Sequence, residues 1–86
     1  MSYSIHFSRE ADSDIDTLYF SDKKLFARII KKIEFLENHP KEGKPLVGIH
    51  KGEYSLRVGN YRIVHQLDHA KHFIYVLTIK HRKHVY

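Results

Sequence analysis

A stripe of apolar residues at a spacing of three and four positions predicts a helix in the second quarter of the chain. Its members are Leu25, Phe26, Ile29, Ile30, Ile33 and Leu36. An earlier set has the same spacing and consists of Ala11, Ile15, Leu18 and Tyr19. Ser8 precedes the earlier set, and Ser21 and Asp22 precede the stripe. Serine and aspartate cap the first turn of helices. The pattern therefore predicts two helices joined by a tight turn.

The alternation of apolar and polar residues predicts one strand before the two helices and three strands after them. The alternating segments are residues 3–7, 54–58 and 61–67, and residues 73–79 are almost entirely apolar. Gly59 and Asn60 predict a tight hairpin turn, because both residue types accept a positive φ. The apolar last strand is expected to be central and covered on both faces of the sheet. Pro40 ends the second helix, and the stretch from there to Gly52 is expected to be a loop.

These elements define an α+β fold with the order β-α-α-β-β-β, in which a helical hairpin packs on one face of a small, largely antiparallel sheet. The 86 residues suffice for one domain, residues 1–86. The chain has no cysteine, which excludes disulfides and thiolate metal sites. Its N-terminal residues contain no apolar signal core, and no stretch approaches the length of a membrane span. We therefore expect a cytoplasmic protein that makes no membrane contact.

The charge of the chain is unevenly distributed. Fifteen lysines and arginines against ten aspartates and glutamates give a net charge of +5, and eight histidines can add to it at lower pH. After Lys41 only Glu42, Glu53 and Asp68 are acidic. The basic excess thus falls on the predicted sheet, which favours a nucleic acid or an acidic protein as partner. A charged surface that only keeps a small protein in solution is the alternative.

Two arginines are predicted to lie side by side on the sheet. The two-residue hairpin turn places Arg57 opposite Arg62, and directly opposed residues share a face. Their repulsion disappears when an anion lies between them, and the guanidinium fork matches phosphate well. Two solvated arginines that splay apart are the alternative interpretation.

The end of the chain offers a second candidate pair. Arg82 and Tyr86 are four positions apart, so they fall on one side of the tail whether it is extended or helical. A phenol beside an arginine can serve in proton transfer. An incidental tyrosine at a frayed terminus would give the same pattern.

Other polar residues give weaker signals. His81 and His84 are candidates for contacts with RNA phosphate and also suit acid–base chemistry near neutral pH, but six further histidines dilute that signal. Lys44 and Lys51 border the predicted loop and are candidates for phosphate contacts, with solvated lysines as the alternative. The chain contains no Ser-His-Asp set, P-loop or dinucleotide fingerprint. We expect neither a metal site nor a cofactor.

Three segments resemble the RelE branch of the RelE/ParE toxin superfamily, and the resemblance covers essentially the whole chain. They are residues 43–46 (GKPL), 52–64 (GEYSLRVGNYRIV) and 79–86 (IKHRKHVY). The resemblance implies a type II toxin that enters the ribosomal decoding site and cuts messenger RNA without metal, by attack of a ribose 2′-hydroxyl on the adjacent phosphate. Residue matching implies that Arg62 stabilises the phosphorane, that Arg82 supports or protonates the leaving oxygen, and that Tyr86 acts on the 2′-hydroxyl or stacks on a base. Arg57 takes the place of a basic residue of the preceding strand.

The resemblance also implies partners and leaves two alternatives. The partners are a RelB-like antitoxin that is acidic and partly disordered, the ribosome with its message, and operator DNA only through the antitoxin complex. Some members carry a lysine where this chain has Ser55, so Lys51 or a histidine is the candidate to replace that charge. The alternatives are a ParE-like poison of DNA gyrase and an inactive RelE-like binding module.

Overall fold

A computed structural model describes residues 2–84 of the chain. Seven helices and strands follow one another in the order β1 (Ser4–Phe7), α1 (Arg9–Ser21), α2 (Lys23–Phe35), β2 (Lys44–Pro45), β3 (Glu53–Val58), β4 (Tyr61–Asp68) and β5 (Phe73–His81). Short 3₁₀ turns span Gly48–His50 and Arg82–His84. The predicted α+β fold is confirmed, with two helices packed on a mostly antiparallel sheet.

The sheet has the strand order β1-β5-β4-β3-β2. β1 pairs with β5 in parallel, and all other neighbouring strands are antiparallel. The two-residue turn at Gly59 and Asn60 sets the register of β3 and β4, so that Arg57 is the Cα partner of Arg62 as predicted. Gly59 has a φ of +58°, a left-handed conformation that glycine adopts without strain.

Both helices begin at the predicted caps. The Ser8 hydroxyl accepts a hydrogen bond from the Ala11 N–H at 3.0 Å and donates one to the Leu77 carbonyl at 2.7 Å. It therefore caps α1 and ties the start of that helix to β5. The Asp22 carboxylate accepts from the Leu25 N–H at 3.1 Å and caps α2. Each cap satisfies an N–H group that has no partner within its helix.

The core lies between the helices and one face of the sheet. Its buried hydrophobic residues are Ala11, Leu18, Ile29, Ile33 and Leu36 from the helical side, and Leu56, Val58, Ile63, Ile74, Val76 and Ile79 from the strands. The opposite side of the sheet, which we call the open face, has no helix over it in the part of the chain that is described. The expectation that β5 is covered on both faces is therefore wrong, because both helices pack on the same side and leave Phe73 and Tyr75 partly exposed.

Two further features differ from the sequence prediction. The predicted loop between α2 and β3 contains the two-residue strand β2, whose Lys44 and Pro45 pair with Ser55 and Tyr54. Pairing between β4 and β5 shifts between Val64 and His65, and this irregularity places Leu77 out of register. Strands as short as β2 carry too few residues to show an alternating pattern.

Candidate functional site

Three cations lie at directly paired positions on three neighbouring strands of the sheet. Arg57, Arg62 and Lys80 are successive Cα partners on β3, β4 and β5, and we call them the cation row. Arg57 is exposed, and Arg62 and Lys80 are partly buried. Side chains at directly opposed positions share a face and approach one another closely. The row therefore concentrates positive charge on one strip of the sheet.

Acidic partners neutralise one end of the cation row. The Lys80 Nζ lies 2.6 Å from the Asp14 Oδ1 and 3.2 Å from the Glu10 Oε2. The hydrogen bond to Asp14 raises the pKa of Lys80 above its usual value, so that this ammonium remains charged. Asp14 also accepts a hydrogen bond from the Ile79 N–H at 2.9 Å. Lys80 is thus held by α1, whereas no ion pair involves Arg57 or Arg62 among residues 2–84.

The two candidate lysines lie in different environments. Lys44 is the Cα partner of Ser55, which puts it at the edge of the open face. Lys51 follows the 3₁₀ turn at Gly48–His50 outside the sheet and is exposed. Of these two lysines, Lys44 is therefore the one that borders the open face.

The C-terminal candidates are only partly described. The Arg82 N–H donates to the Asn60 carbonyl at 2.8 Å, so the backbone at Arg82 is anchored to the β3–β4 turn. Arg82 itself is exposed. The backbone of His84 belongs to the short turn Arg82–His84, but its side chain lies outside the described residues, as does Tyr86. The expected approach of Arg82 and Tyr86 stays a prediction.

His81 does not join the cation row. It is the Cα partner of Tyr61, and its ring packs edge-on against the Tyr61 ring with centroids 5.4 Å apart. Its Nδ1 accepts a hydrogen bond from the Lys83 N–H at 3.2 Å. His81 lines a cleft together with Leu25 and Arg28 of α2, so its side chain lies on the side of the helices.

A second basic surface lies on the side of the helices. Arg28, Lys31 and Lys32 of α2 line a cleft of about 420 Å³ together with Phe35, Arg57, Val58 and Gly59. Arg57 borders both this cleft and the cation row. The two basic surfaces therefore meet at the edge of β3, where a long acidic ligand could contact both.

Sequence reasoning missed two residues that support the site. Asp14 gave no signal because its partners are 65 and 66 positions away along the chain. His65 is fully buried and donates from Nε2 to the Pro40 carbonyl at 2.8 Å, whereas its Nδ1 has no hydrogen-bond partner among the described residues. Burial lowers the pKa of His65. A polar residue at a core position breaks the apolar pattern on which sequence prediction depends.

No group of three or more histidine, cysteine, aspartate or glutamate side chains within residues 2–84 is arranged to hold a metal ion. None of the helices in this described part is long and apolar enough to span a bilayer. What the open face offers is a pair of arginines without carboxylate partners, which suits the binding of phosphate.

The architecture is a helical hairpin on a small sheet with a basic open face. It agrees with the compact toxin domains that the sequence motifs resemble. The chain matches the family described as ParE toxin of type II toxin-antitoxin system, parDE, over residues 5–86. It therefore belongs to this family and is a RelE/ParE-type toxin. No curated protein matches the chain significantly by sequence.

Solved structures of toxins share the fold. The RelBE2 toxin-antitoxin complex from Mycobacterium tuberculosis is similar with a TM-score of 0.83 and 26% identity over 95% of this chain and 100% of that chain. A YoeB/ParE toxin from Agrobacterium tumefaciens is similar with a TM-score of 0.82 and 18% identity, over 91% of this chain and 96% of that chain. A mutant of the E. coli toxin RelE in the free state is similar with a TM-score of 0.79 and 21% identity, over 96% of this chain and 86% of that chain. At these last two identities the similarity shows the fold alone.

Proposed function

We propose that this toxin is a ribosome-dependent endoribonuclease that cuts messenger RNA in the cytoplasm and so stops translation. The observation that carries the proposal is the pair Arg57 and Arg62, which are in register on the open face without a carboxylate partner in the described part of the chain. Two neighbouring guanidinium groups repel each other unless an anion binds between them, and the phosphate of a bound message is such an anion. The segment at residues 79–86, which resembles the RelE branch, supports the same assignment.

In this reaction the nucleophile comes from the RNA. The 2′-oxygen forms a bond to phosphorus while the 5′-oxygen leaves, which gives a 2′,3′-cyclic phosphate and a 5′-hydroxyl. Arg62 stabilises the negative charge that develops on the phosphorane. Tyr86 takes the proton from the 2′-hydroxyl. Arg82 stabilises the charge on the leaving 5′-oxygen, which takes its proton from water. The ribosome orients the message, so that the small toxin needs little substrate-binding surface of its own.

Lys44 is assigned the charge that the chain lacks at Ser55. In related toxins a lysine at that position would project from β3, and here Lys44 lies directly across from it on β2. A cation on the neighbouring strand can act on the same phosphate, because opposed side chains lie within reach of each other.

The toxin is expected to bind an acidic antitoxin. The similar structure from M. tuberculosis is a toxin-antitoxin complex, and the meeting of the cation row with the α2 cleft suits an extended acidic segment. Such a segment would order on binding and would cover the arginines that hold RNA. Contact with operator DNA would then occur only through the complex.

A second candidate function is poisoning of DNA gyrase. The observation in its favour is that the matching family is described as ParE. Such a toxin would need no RNA chemistry on the open face. Primer extension on a translated message after induction, together with a gyrase supercoiling assay on the purified chain, separates the two. We expect discrete cuts in the message and unaffected gyrase, whereas inhibited gyrase with intact messages would establish the second candidate.

A further inference from the structure

The end of the open face away from the cation row carries aromatic rings. His6 of β1 is the Cα partner of Tyr75 of β5, and Phe73 is on the same face of β5. The centroid of the His6 ring lies 4.2 Å from that of the Phe73 ring and 5.7 Å from that of the Tyr75 ring. Gln66 of β4 pairs with Tyr75 from the other side and is exposed. We call His6, Tyr75, Gln66 and Phe73 the ring row.

Small side chains separate the ring row from the cation row. Ser55, Val64 and Thr78 are successive Cα partners between them, and none has a long side chain that would project over the sheet. From Arg62 to Gln66 along β4 the distance is about 14 Å, at a rise of about 3.4 Å per residue. Val64 is only 3% exposed, so neighbouring side chains cover the middle of the open face. Cations lie at one end of this face and rings at the other.

The charges at the two ends differ in sign. Glu53 is the Cα partner of Gln66, and Asp68 is the Cα partner of Phe73. Carboxylates beside the ring row disfavour a phosphate there, whereas Arg57 and Arg62 favour one at the cation row. A ligand with an anionic backbone and flat, uncharged groups attached to it fits both ends at once.

We propose that the ring row is a base-binding subsite for single-stranded RNA whose phosphates lie at the cation row. Aromatic rings on a sheet stack with unpaired bases, and the Gln66 amide presents a donor and an acceptor side by side to a base edge. The inference rests on the proposed function in that the bound RNA is the substrate. It adds that the toxin itself contacts bases a few nucleotides away from the cut.

An apolar segment of a protein partner is the occupant that the test must separate from RNA. Both would cover Tyr75, but they differ in what they require of it. Base stacking needs a flat ring, whereas packing against an apolar protein segment is served by leucine as well. The substitutions Tyr75→Phe and Tyr75→Leu therefore distinguish the two occupants.

The test is the binding of labelled single-stranded RNA of about eight nucleotides, within the usual site size for such surfaces, to the purified full chain at low salt by fluorescence anisotropy. We expect Tyr75→Phe to bind RNA like the parent. Tyr75→Leu should bind RNA about tenfold more weakly, because stacking of one base contributes about that much to affinity. His6→Ala, at an exposed position, should weaken binding by a similar factor. Tyr19→Leu is the matched control, because this tyrosine is 44% exposed on α1, away from the open face. It should bind like the parent.

A second arm uses RNA with abasic residues. The parent should bind abasic RNA about tenfold more weakly than intact RNA, and Tyr75→Leu should bind both alike, because the lost base and the lost ring belong to one contact. The inference would be overturned if Tyr75→Leu bound intact RNA as tightly as the parent does. It would equally be overturned if the parent bound intact and abasic RNA alike, or bound no RNA. Unchanged RNA binding with lost antitoxin binding would assign the ring row to a protein.

Cleavage assays separate this inference from the proposed function. If the chain cuts messages on ribosomes but RNA binding shows no coupling between Tyr75 and the bases, the proposed function stands and the base-binding subsite is refuted. If RNA binding shows the coupling but the chain does not cut messages, the base-binding subsite stands and the proposed function is refuted.

Discussion

At the scale of single residues, we assign the chemistry to Arg62 and Arg82, which are at least partly exposed. Neither Arg62 nor Arg82 forms an ion pair within residues 2–84, and they lie on the open face and beyond the end of β5, respectively. We expect Arg62→Ala and Arg82→Ala each to abolish growth arrest, while the free energy of unfolding changes by less than about 1 kcal/mol, as at other surface positions. Induction assays and urea denaturation measure the two effects. A variant that unfolds, or one that remains fully toxic, would contradict the assignment of that arginine.

The position of Lys44 gives a second prediction at this scale. Lys44→Ala should lower single-turnover cleavage on programmed ribosomes by about tenfold or more, which corresponds to about 1.4 kcal/mol of lost transition-state stabilisation. Adding Ser55→Lys to this variant should restore the rate, because the new lysine projects from the adjacent position on β3.

Lys51→Ala is the matched control for Lys44→Ala, because Lys51 is an exposed lysine of the same segment that lies outside the sheet. Its cleavage rate should equal that of the parent. If Lys51→Ala slows cleavage and Lys44→Ala does not, Lys51 holds the role that we assign to Lys44.

At the scale of elements, Asp14 joins α1 to the last part of β5, beyond the point where β1 ends. Its side chain is 11% exposed, and it bonds both the Ile79 N–H and the Lys80 ammonium. We expect Asp14→Ala to lower the free energy of unfolding by about 1–3 kcal/mol, because it leaves a buried N–H without a partner. Urea denaturation measures the loss.

Glu10→Ala is the control for Asp14→Ala. Glu10 pairs with the same lysine, but its side chain is 57% exposed, and exposed ion pairs contribute little to stability. Its removal should change the free energy of unfolding by no more than about 0.5 kcal/mol. Equal losses in the two variants would show that the ion pairs, and not the bond to Ile79, join α1 to β5.

His65 joins the segment after α2 to β4 and makes stability depend on pH. Burial lowers its pKa from the ordinary value of 6.5, so the folded chain binds this proton less tightly than the unfolded chain does. The resulting stability is present above about pH 6.5 and is lost as the pH falls below it. His65→Gln keeps an N–H for the Pro40 carbonyl but cannot titrate.

The pH dependence of His65 is measured by urea denaturation of the parent and of His65→Gln at pH 7.5 and pH 5. The parent should lose more stability than the variant on acidification, because the other seven histidines are common to both chains. An equal loss would mean that His65 contributes nothing to the pH dependence.

Local signals explain which elements the sequence could predict. The caps at Ser8 and Asp22 and the turn at Gly59 act over a few residues, so the two helices and the register of Arg57 with Arg62 were predictable. β2 was not, because two residues carry no period. The bonds of Asp14 were not either, since they join parts of the chain that are brought together only by the tertiary fold.

At the scale of the whole molecule, the distribution of charge follows the fold. Acidic residues gather on α1, at Glu10, Asp12, Asp14 and Asp16, whereas the sheet edge and α2 are basic. The sequence predicted that asymmetry and a polyanion partner. It could not predict that the open face has two ends of different character, because the ring row assembles from β1, β4 and β5. The role of Tyr86 stays a prediction from the sequence.

The most direct test of the central claim is cleavage of a message on programmed ribosomes by the purified chain, with and without a single 2′-deoxy substitution at the nucleotide whose 2′-hydroxyl attacks. We expect the unmodified message to be cut to a product that ends in a 2′,3′-cyclic phosphate, and the deoxy message to remain intact because the nucleophile is missing. Cutting of both messages alike, or of neither, would contradict that claim.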